Sequence, residues 1–372
     1  MSDDPYWIEL IPKFNLYRFL EIDEFNLKRT TSQKLLYYKP IILVNGYNSS
    51  YLTWNYLAQR LWINGFRNIF ALNLQKFTRS REDFLELIDD VINTILSVVN
   101  SFNSVSIIGH SIGGVLTRYY AKLNEFHNIR KISLLITIAS PYYEIMTYLR
   151  DFGFFFNHVF PSEMIDLFKG DNGLYSLSTI YQPVEFNKIT MVNVDGAVKL
   201  FLGSDGLFRP QNPCEMINVT INQNHFGILR CPEISQLVRE FLCNKVIIYK
   251  ISLTKISFPK RKTGKQSYFY FKIRDGKEVQ RYPANEWLKT TPNGVKTFKP
   301  YIIYSGKASK SKKEKIITIS MFRKKIFNDE KLIEGKIQFK FTIEDSSSST
   351  RHFKNNNVSF SINIISISAI QD

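Results

Sequence analysis

A serine between glycines, with a β-branched run before it and a helix former after it, is a pattern from which covalent acyl chemistry is built. The chain carries it at Ser106-Ile107-Ile108-Gly109-His110-Ser111-Ile112-Gly113-Gly114, and the helix-forming segment Val115 to Leu123 follows directly. Strand, sharp turn and helix around Gly-x-Ser-x-Gly predict a nucleophile elbow with Ser111 at its tip. The chemistry needs the glycines: a serine in so tight a turn sits in strained backbone, and Gly109 and Gly113 keep neighbouring side chains from colliding there. The helix start behind Ser111 also leaves free N–H groups where an oxyanion would develop. The five-residue pattern alone occurs by chance; the flanking strand and helix give it meaning.

A nucleophilic serine needs a base, and the chain has five histidines. His110 lies inside the turn and cannot fold back onto its neighbour, so it reads as a packing residue. His127 sits in a polar stretch, His158 in a phenylalanine-rich segment and His352 in a Ser/Asn-rich loop. His225 differs, because it follows a predicted strand (Met216 to Ile221) and precedes a predicted helix (Pro232 to Cys243). Open α/β sheets place their chemistry on loops at the carboxyl ends of strands, which makes His225 the expected general base. The acid should precede it on another such loop. Asp205, in Gly203-Ser204-Asp205-Gly206-Leu207, has small, turn-forming neighbours and is preferred. Asp195, which ends the apolar run Ile189 to Val194, is the runner-up. Either would hold the imidazole in the right tautomer without taking a proton itself.

The elements that must position these residues alternate. Strand-like runs at 39–45, 68–74, 104–109, 132–139, 188–194 and 216–221 are separated by helical patterns. The clearest helix spans Glu82 to Asn100, with Phe84, Ile88, Val91, Ile92, Ile95 and Val99 on one face. Such alternation predicts a mostly parallel sheet covered by helices. After residue 245 the period changes to two, with strands predicted at 246–258, 267–273, 297–304, 315–322, 336–344 and 358–368. Turn clusters, including Ser346 to Thr350, separate them, which points to an all-β sandwich.

Charge divides the chain at the same place. Residues 1–245 hold 23 Lys+Arg and 23 Asp+Glu, while residues 246–372 hold 26 and 10 and so account for the whole net charge of +16. Two domains are therefore expected, 1–245 and 246–372. An apolar share of 44% is that of a globular protein. No apolar run approaches the ~18–20 residues of a membrane span. The acidic Met1-Ser2-Asp3-Asp4 lacks the layout of a secretory signal, and three scattered cysteines favour free thiols in a reducing compartment. A cytoplasmic or peripheral-membrane protein is expected, with signal-less export as the remaining route.

In its motifs the chain resembles the α/β-hydrolase lipases and esterases. Lys39 to Ser50 resembles their oxyanion strand and loop, and Thr53-Trp54 to Leu61, then Gly65-Phe66 to Leu74, the helix and strand that follow. Thr137-Ile138-Ala139-Ser140-Pro141 is similar to the strand end after the nucleophile helix. Gly203 to Leu207 resembles the acid loop, and Asn224-His225-Phe226-Gly227-Ile228-Leu229 the histidine loop. The resemblance covers roughly residues 38–243, and only the elbow is specific by itself. It implies a Ser111–Asp205–His225 triad, with the backbone N–H groups of Ile112 and Tyr47 as oxyanion donors and no metal or organic cofactor. Two departures stand out: Asn45-Gly46 replaces the family's usual His-Gly, and Tyr142-Tyr143 follow Pro141 where a His is common.

Tyr142 to Gln182 concentrates apolar side chains, among them Phe152, Phe154, Phe155, Phe156 and Phe160, more than a surface connection needs. A lid or acyl-binding cap at about 142–185 is expected, favouring lipid-like esters. The basic sandwich suits an anionic membrane surface. Ile251 to Ile273 faintly resembles the opening strands of PLAT-type sandwiches, but the Asp clusters of a calcium site are missing, so calcium dependence is not expected. Nucleic acid is not the expected partner. The sequence thus predicts an α/β-hydrolase with a mostly parallel central sheet, followed by a β-sandwich. The expected activity is cleavage of lipid acyl esters through an acyl-enzyme on Ser111. A phospholipase or thioesterase with the same triad, and a catalytically silent lipid- or partner-binding protein, are the alternatives.

Overall fold

Short β-branched runs such as Ile41-Ile42-Leu43-Val44 can form strands buried on both faces, the environment of a parallel sheet under helices. The structure is a computed structural model and describes residues 6–20, 39–46, 49–74, 81–99, 102–126, 131–141, 189–198, 216–243, 246–257, 267–276, 278–282, 288–290, 295–309, 314–323, 330–340, 348–354 and 359–368. These fall into two compact units. One holds the described residues of 6–198 and 219–243, and the other holds 216–218 and those from 246 onward.

The first unit opens with an antiparallel hairpin of β1 (Tyr6–Ile11) and β2 (Leu16–Leu20), whose connecting turn ends on Asn15 in left-handed backbone. β2 lies antiparallel to β4 (Ile69–Leu72), and parallel pairing then runs from β4 through β3 (Ile41–Val44), β5 (Val105–His110) and β6 (Ile132–Ile138) to β7 (Thr190–Gly196). β8 (Ile217–Ile221) follows β7, held in part by the Ala197 N–H donating to the Ile221 carbonyl at 2.9 Å. Every residue of β3, β4, β5 and β7 is buried. The sequence does not predict this hairpin; among its described side chains only Leu16 and Phe19 are buried apolar ones, so its alternation is weak.

The helices are α1 (Asn55–Ile63), α2 (Arg81–Val99), α3 (Ile112–Phe126) and α4 (Pro232–Leu242). Ile88, Val91, Ile92 and Ile95 of α2 are buried, as the 3.6-residue period predicts. Asp89 on α2 accepts hydrogen bonds from Tyr120 of α3 at 2.6 Å and from Lys131, just before β6, at 2.8 Å to each oxygen. Burial pushes its carboxyl up, but the bonds from Lys131 and Tyr120 outweigh that and leave it below the ordinary range.

In the second unit, β13 (Val295–Ser309), β9 (Val246–Ser257), β17 (Ser359–Ser368) and β16 (Ser348–Lys354) form one antiparallel sheet. β11 (Glu278–Tyr282), β10 (Ser267–Asp275), β14 (Glu314–Arg323) and β15 (Glu330–Lys340) form the other, with β12 (Leu288–Thr290) also on β10. Tyr249, Ile251 and Phe360 from the first sheet share a core with Phe271, Ile319 and Met321 from the second, which makes a β-sandwich. Within it the Tyr249 hydroxyl donates to Asp275 Oδ2, as does that of Tyr304 at 2.9 Å. Burial pushes the Tyr249 hydroxyl far above the ordinary phenol range. A Cβ at Gly306 would lie 2.2 Å from that hydroxyl oxygen, so only glycine leaves it room.

The sequence predicts a turn cluster at Ser346 to Thr350, yet β16 begins at Ser348. It is an edge strand whose residues 350–352 and 354 are exposed, so pairing with β17 rather than an apolar period defines it. β15 likewise starts at Glu330, six residues before its predicted start, because its first residues are charged at Glu330, Lys331 and Glu334.

Candidate active site

β5 runs into α3 through a single residue, Ser111, and the backbone there must reverse in the least space. Ser111 adopts φ 53°; among the described residues only Asn15 and Ala139 join it as non-glycines at positive φ. For an L-residue this costs of order 1–3 kcal/mol and persists only where the surroundings impose it. They do so here. The Ser111 N–H donates to the Ile138 carbonyl of β6 at 2.9 Å, and the Ser111 carbonyl accepts from Gly114 at 3.0 Å and Val115 at 3.3 Å. A Cβ on Gly109 would lie 2.6 Å from the Gly114 Cα, and one on Gly113 2.3 Å from the Asn45 carbonyl oxygen. The glycines of the motif thus let α3 start directly against β5 and β3. Ile112 is the first residue of α3, in the turn whose N–H groups lack intrahelical partners.

The loop after β3 faces the same point. A Cβ on Gly46 would approach the Ser111 Cβ to 2.9 Å. Asn45, which stands where the resembled family has His, acts as a clamp. Its amide donates to the carbonyl oxygens of Gly46 at 3.1 Å and of Ser49, and its Oδ1 accepts the Leu74 N–H at 3.0 Å. It thereby fixes both ends of the loop and ties it to the residues after β4. Tyr47 lies outside the described residues.

His225 follows β8 and is buried, 4% exposed. Its backbone carbonyl accepts from His110 Nε2 at 3.0 Å, and the two rings stand 4.8 Å apart between centroids. A carbonyl can only accept, so His110 carries its proton on Nε2. The sequence predicts a packing residue at His110; the structure adds a directed contact between elbow and histidine loop. Nothing in the sequence marks that contact, since the two residues are 115 positions apart. Phe226 beside it is 60% exposed, and the loop is closed by Asn224 Oδ1 accepting the Gly227 N–H at 2.6 Å.

Asp195 is buried near the carboxyl end of β7. It accepts from Asn193 Nδ2 at 2.8 Å, and Asn193 Oδ1 accepts in turn from Thr137 Oγ1 of β6 at 3.2 Å. Asp205 and the predicted cap at 142–185 lie outside the described residues. Ser111, Ile112 and His225 are therefore gathered around the elbow, while Asp195 lies near the carboxyl end of β7, the strand next to β8. Among the described residues no cluster of His, Cys, Asp and Glu could hold a metal ion.

A strained serine between β5 and α3, in a sheet ordered β1-β2-β4-β3-β5-β6-β7-β8, is the arrangement of an α/β-hydrolase. Residues 39–199 match the family model described as the PGAP1-like alpha/beta domain. That part of the first unit is similar to the PGAP1-like domain. No curated protein matches the chain. Among solved structures, a mature Bacillus licheniformis lipase is similar at 16% identity over 57% of this chain and 93% of that one, with TM-score 0.41. A carboxylesterase of the thaumarchaeon Nitrososphaera gargenis gives 16% identity, coverage of 64% and 98%, and TM-score 0.38. An epoxide hydrolase of Bacillus megaterium gives 14%, 56% and 94%, and 0.36. The family match and the sheet order both fit the α/β-hydrolase fold.

Proposed function

We propose that the PGAP1-like domain is a serine carboxylic-ester hydrolase that cleaves lipid acyl esters through an acyl-enzyme on Ser111. The observation that carries this reading is the left-handed backbone of Ser111 with the histidine loop held against its elbow through His110. In this mechanism His225 takes the Ser111 proton as Oγ attacks the ester carbonyl. The oxyanion is bound by the N–H groups of Ile112 and Tyr47, each worth about 3–4 kcal/mol in such a site. His225 then protonates the leaving alcohol, and water repeats the cycle to release the acid. Asp205 orients the imidazole. Asp195 is the second candidate for that role, favoured by its burial at the end of the strand next to β8. Residues 142–185 form the acyl-binding cap, and residues 246–372 attach the enzyme to an anionic membrane surface.

Hydrolysis of nitrophenyl esters from short to long chain tests this. Ser111→Ala is expected to lose at least about 10⁴-fold in kcat while unfolding as the wild type does. Unchanged turnover in that variant would refute the assignment, and a preference for long chains supports lipid esters over small ones.

A further inference from the structure

The β11-β10-β14-β15 sheet turns Phe269, Phe271 and Ile273 of β10 into the core of the sandwich. Because side chains alternate along a strand, Tyr268, Tyr270, Lys272 and Arg274 lie on the opposite face. Register sets Phe322 beside Tyr270, Arg281 beside Lys272, and both Val279 and Thr318 beside Arg274. At the centre Tyr270 and Phe322 stack at 5.2 Å between centroids and 12° between planes. Lys272 Nζ stands 4.9 Å over the Phe322 ring, and Arg281 Cζ 4.5 Å over that of Tyr270. Around this cationic centre three apolar side chains reach solvent: Tyr268 at 42% exposure, Val279 at 54% and Ile316 at 57%. The carboxylate of Glu334, on the same sheet, is already engaged by Lys331 and the Ser320 hydroxyl.

We infer that this face is the surface by which the protein docks on a bilayer containing anionic phospholipid. Charge complementarity argues for it, since the sandwich residues hold 26 Lys+Arg against 10 Asp+Glu. The mixture is also that of a membrane interface, where cations on long apolar stems meet headgroups while exposed aliphatic and aromatic groups enter the acyl boundary. A single-stranded nucleic acid would need open aromatic faces for its bases. Here the two central rings give their faces to each other and to Lys272 and Arg281, and Val279 and Ile316 offer a base or phosphate nothing. This deepens the reading of residues 246–372 as a surface-attachment unit and requires no chemistry at Ser111.

The test is co-flotation of the full chain with phosphatidylcholine vesicles, with and without phosphatidylserine, read without any hydrolysis. Wild type should float with the phosphatidylserine vesicles at low salt and stay down with phosphatidylcholine alone. Lys272→Gln/Arg274→Gln/Arg281→Gln should weaken partitioning by about 100-fold, at roughly fivefold per cation. The charge-matched control Lys255→Gln/Arg351→Gln/Lys354→Gln, exposed on the other sheet, should change it only a few-fold. Val279→Ser/Ile316→Ser keeps every cation and should lose the part of binding that survives high salt. Equal losses in both triple variants, no flotation of wild type, or tighter binding to single-stranded RNA than to vesicles would each overturn the docking face. None of these results would bear on Ser111, whose esterase assay stands separately.

Discussion

Both units bury polar groups beside a glycine that nothing larger could replace, yet the two places differ in kind. In the sandwich, Gly306 clears space for Tyr249, whose hydroxyl closes on Asp275 together with Tyr304. All three are buried and hydrogen-bonded, and the backbone at Gly306 is not in the left-handed region. At the elbow, Gly46, Gly109 and Gly113 clear space for a serine that is only half-buried and sits in left-handed backbone. Sealed polar contacts of the first kind fix a core. Strain at an accessible serine is the kind that functional sites store. Burial of polar groups alone would not separate the two.

The sharpest way to refine the comparison is to remove the proposed triad acid. Asp205→Asn is expected to lower kcat about 10⁴-fold, because the imidazole would be left in the wrong tautomer. Asp195→Asn should cost much less activity. Parallel kinetics of the two variants decide between them, and the opposite ranking moves the role to Asp195. Next in size is Gly306→Ala. Forcing a methyl into the Tyr249 hydroxyl should destabilise the sandwich by about 3 kcal/mol while leaving ester hydrolysis intact at temperatures where it stays folded. Thermal unfolding read beside activity checks this; lost activity without lost stability would erase the distinction between the two places.

The smallest expected effect is at the link between elbow and histidine loop. His110→Ala should lower kcat by about 10- to 100-fold with KM nearly unchanged, as expected for a residue that positions a catalytic group. His110→Gln, which keeps an N–H donor, should recover part of the loss. A rise in KM with kcat preserved would instead make His110 part of a binding surface.

Much of this was legible in sequence because local pattern and tertiary role coincide there. Gly109 and Gly113 announce close backbone approaches that the structure contains, and the apolar period of α2 names the face it buries. The switch from a 3.6-residue period to a two-residue period after residue 245 foretells the sandwich. What stayed hidden depends on distant partners. β2 acquires its place by pairing with β4, β1 by pairing with β2, and β16 by pairing with β17, none of them through an apolar rhythm. Asn45 looks like a defect in the family pattern until the Leu74 N–H is seen on its Oδ1. His110 reads as packing until the His225 carbonyl is found 3.0 Å away.

The central claim is that Ser111 is an activated nucleophile, and covalent labelling tests it most directly. Wild-type protein treated with a fluorophosphonate and digested should carry the adduct on Ser111, seen by peptide mass spectrometry. The label should vanish in Ser111→Ala and form far more slowly in His225→Ala. A folded wild type that takes no label, with or without anionic vesicles to open a cap, or that takes it on another serine, would contradict the account.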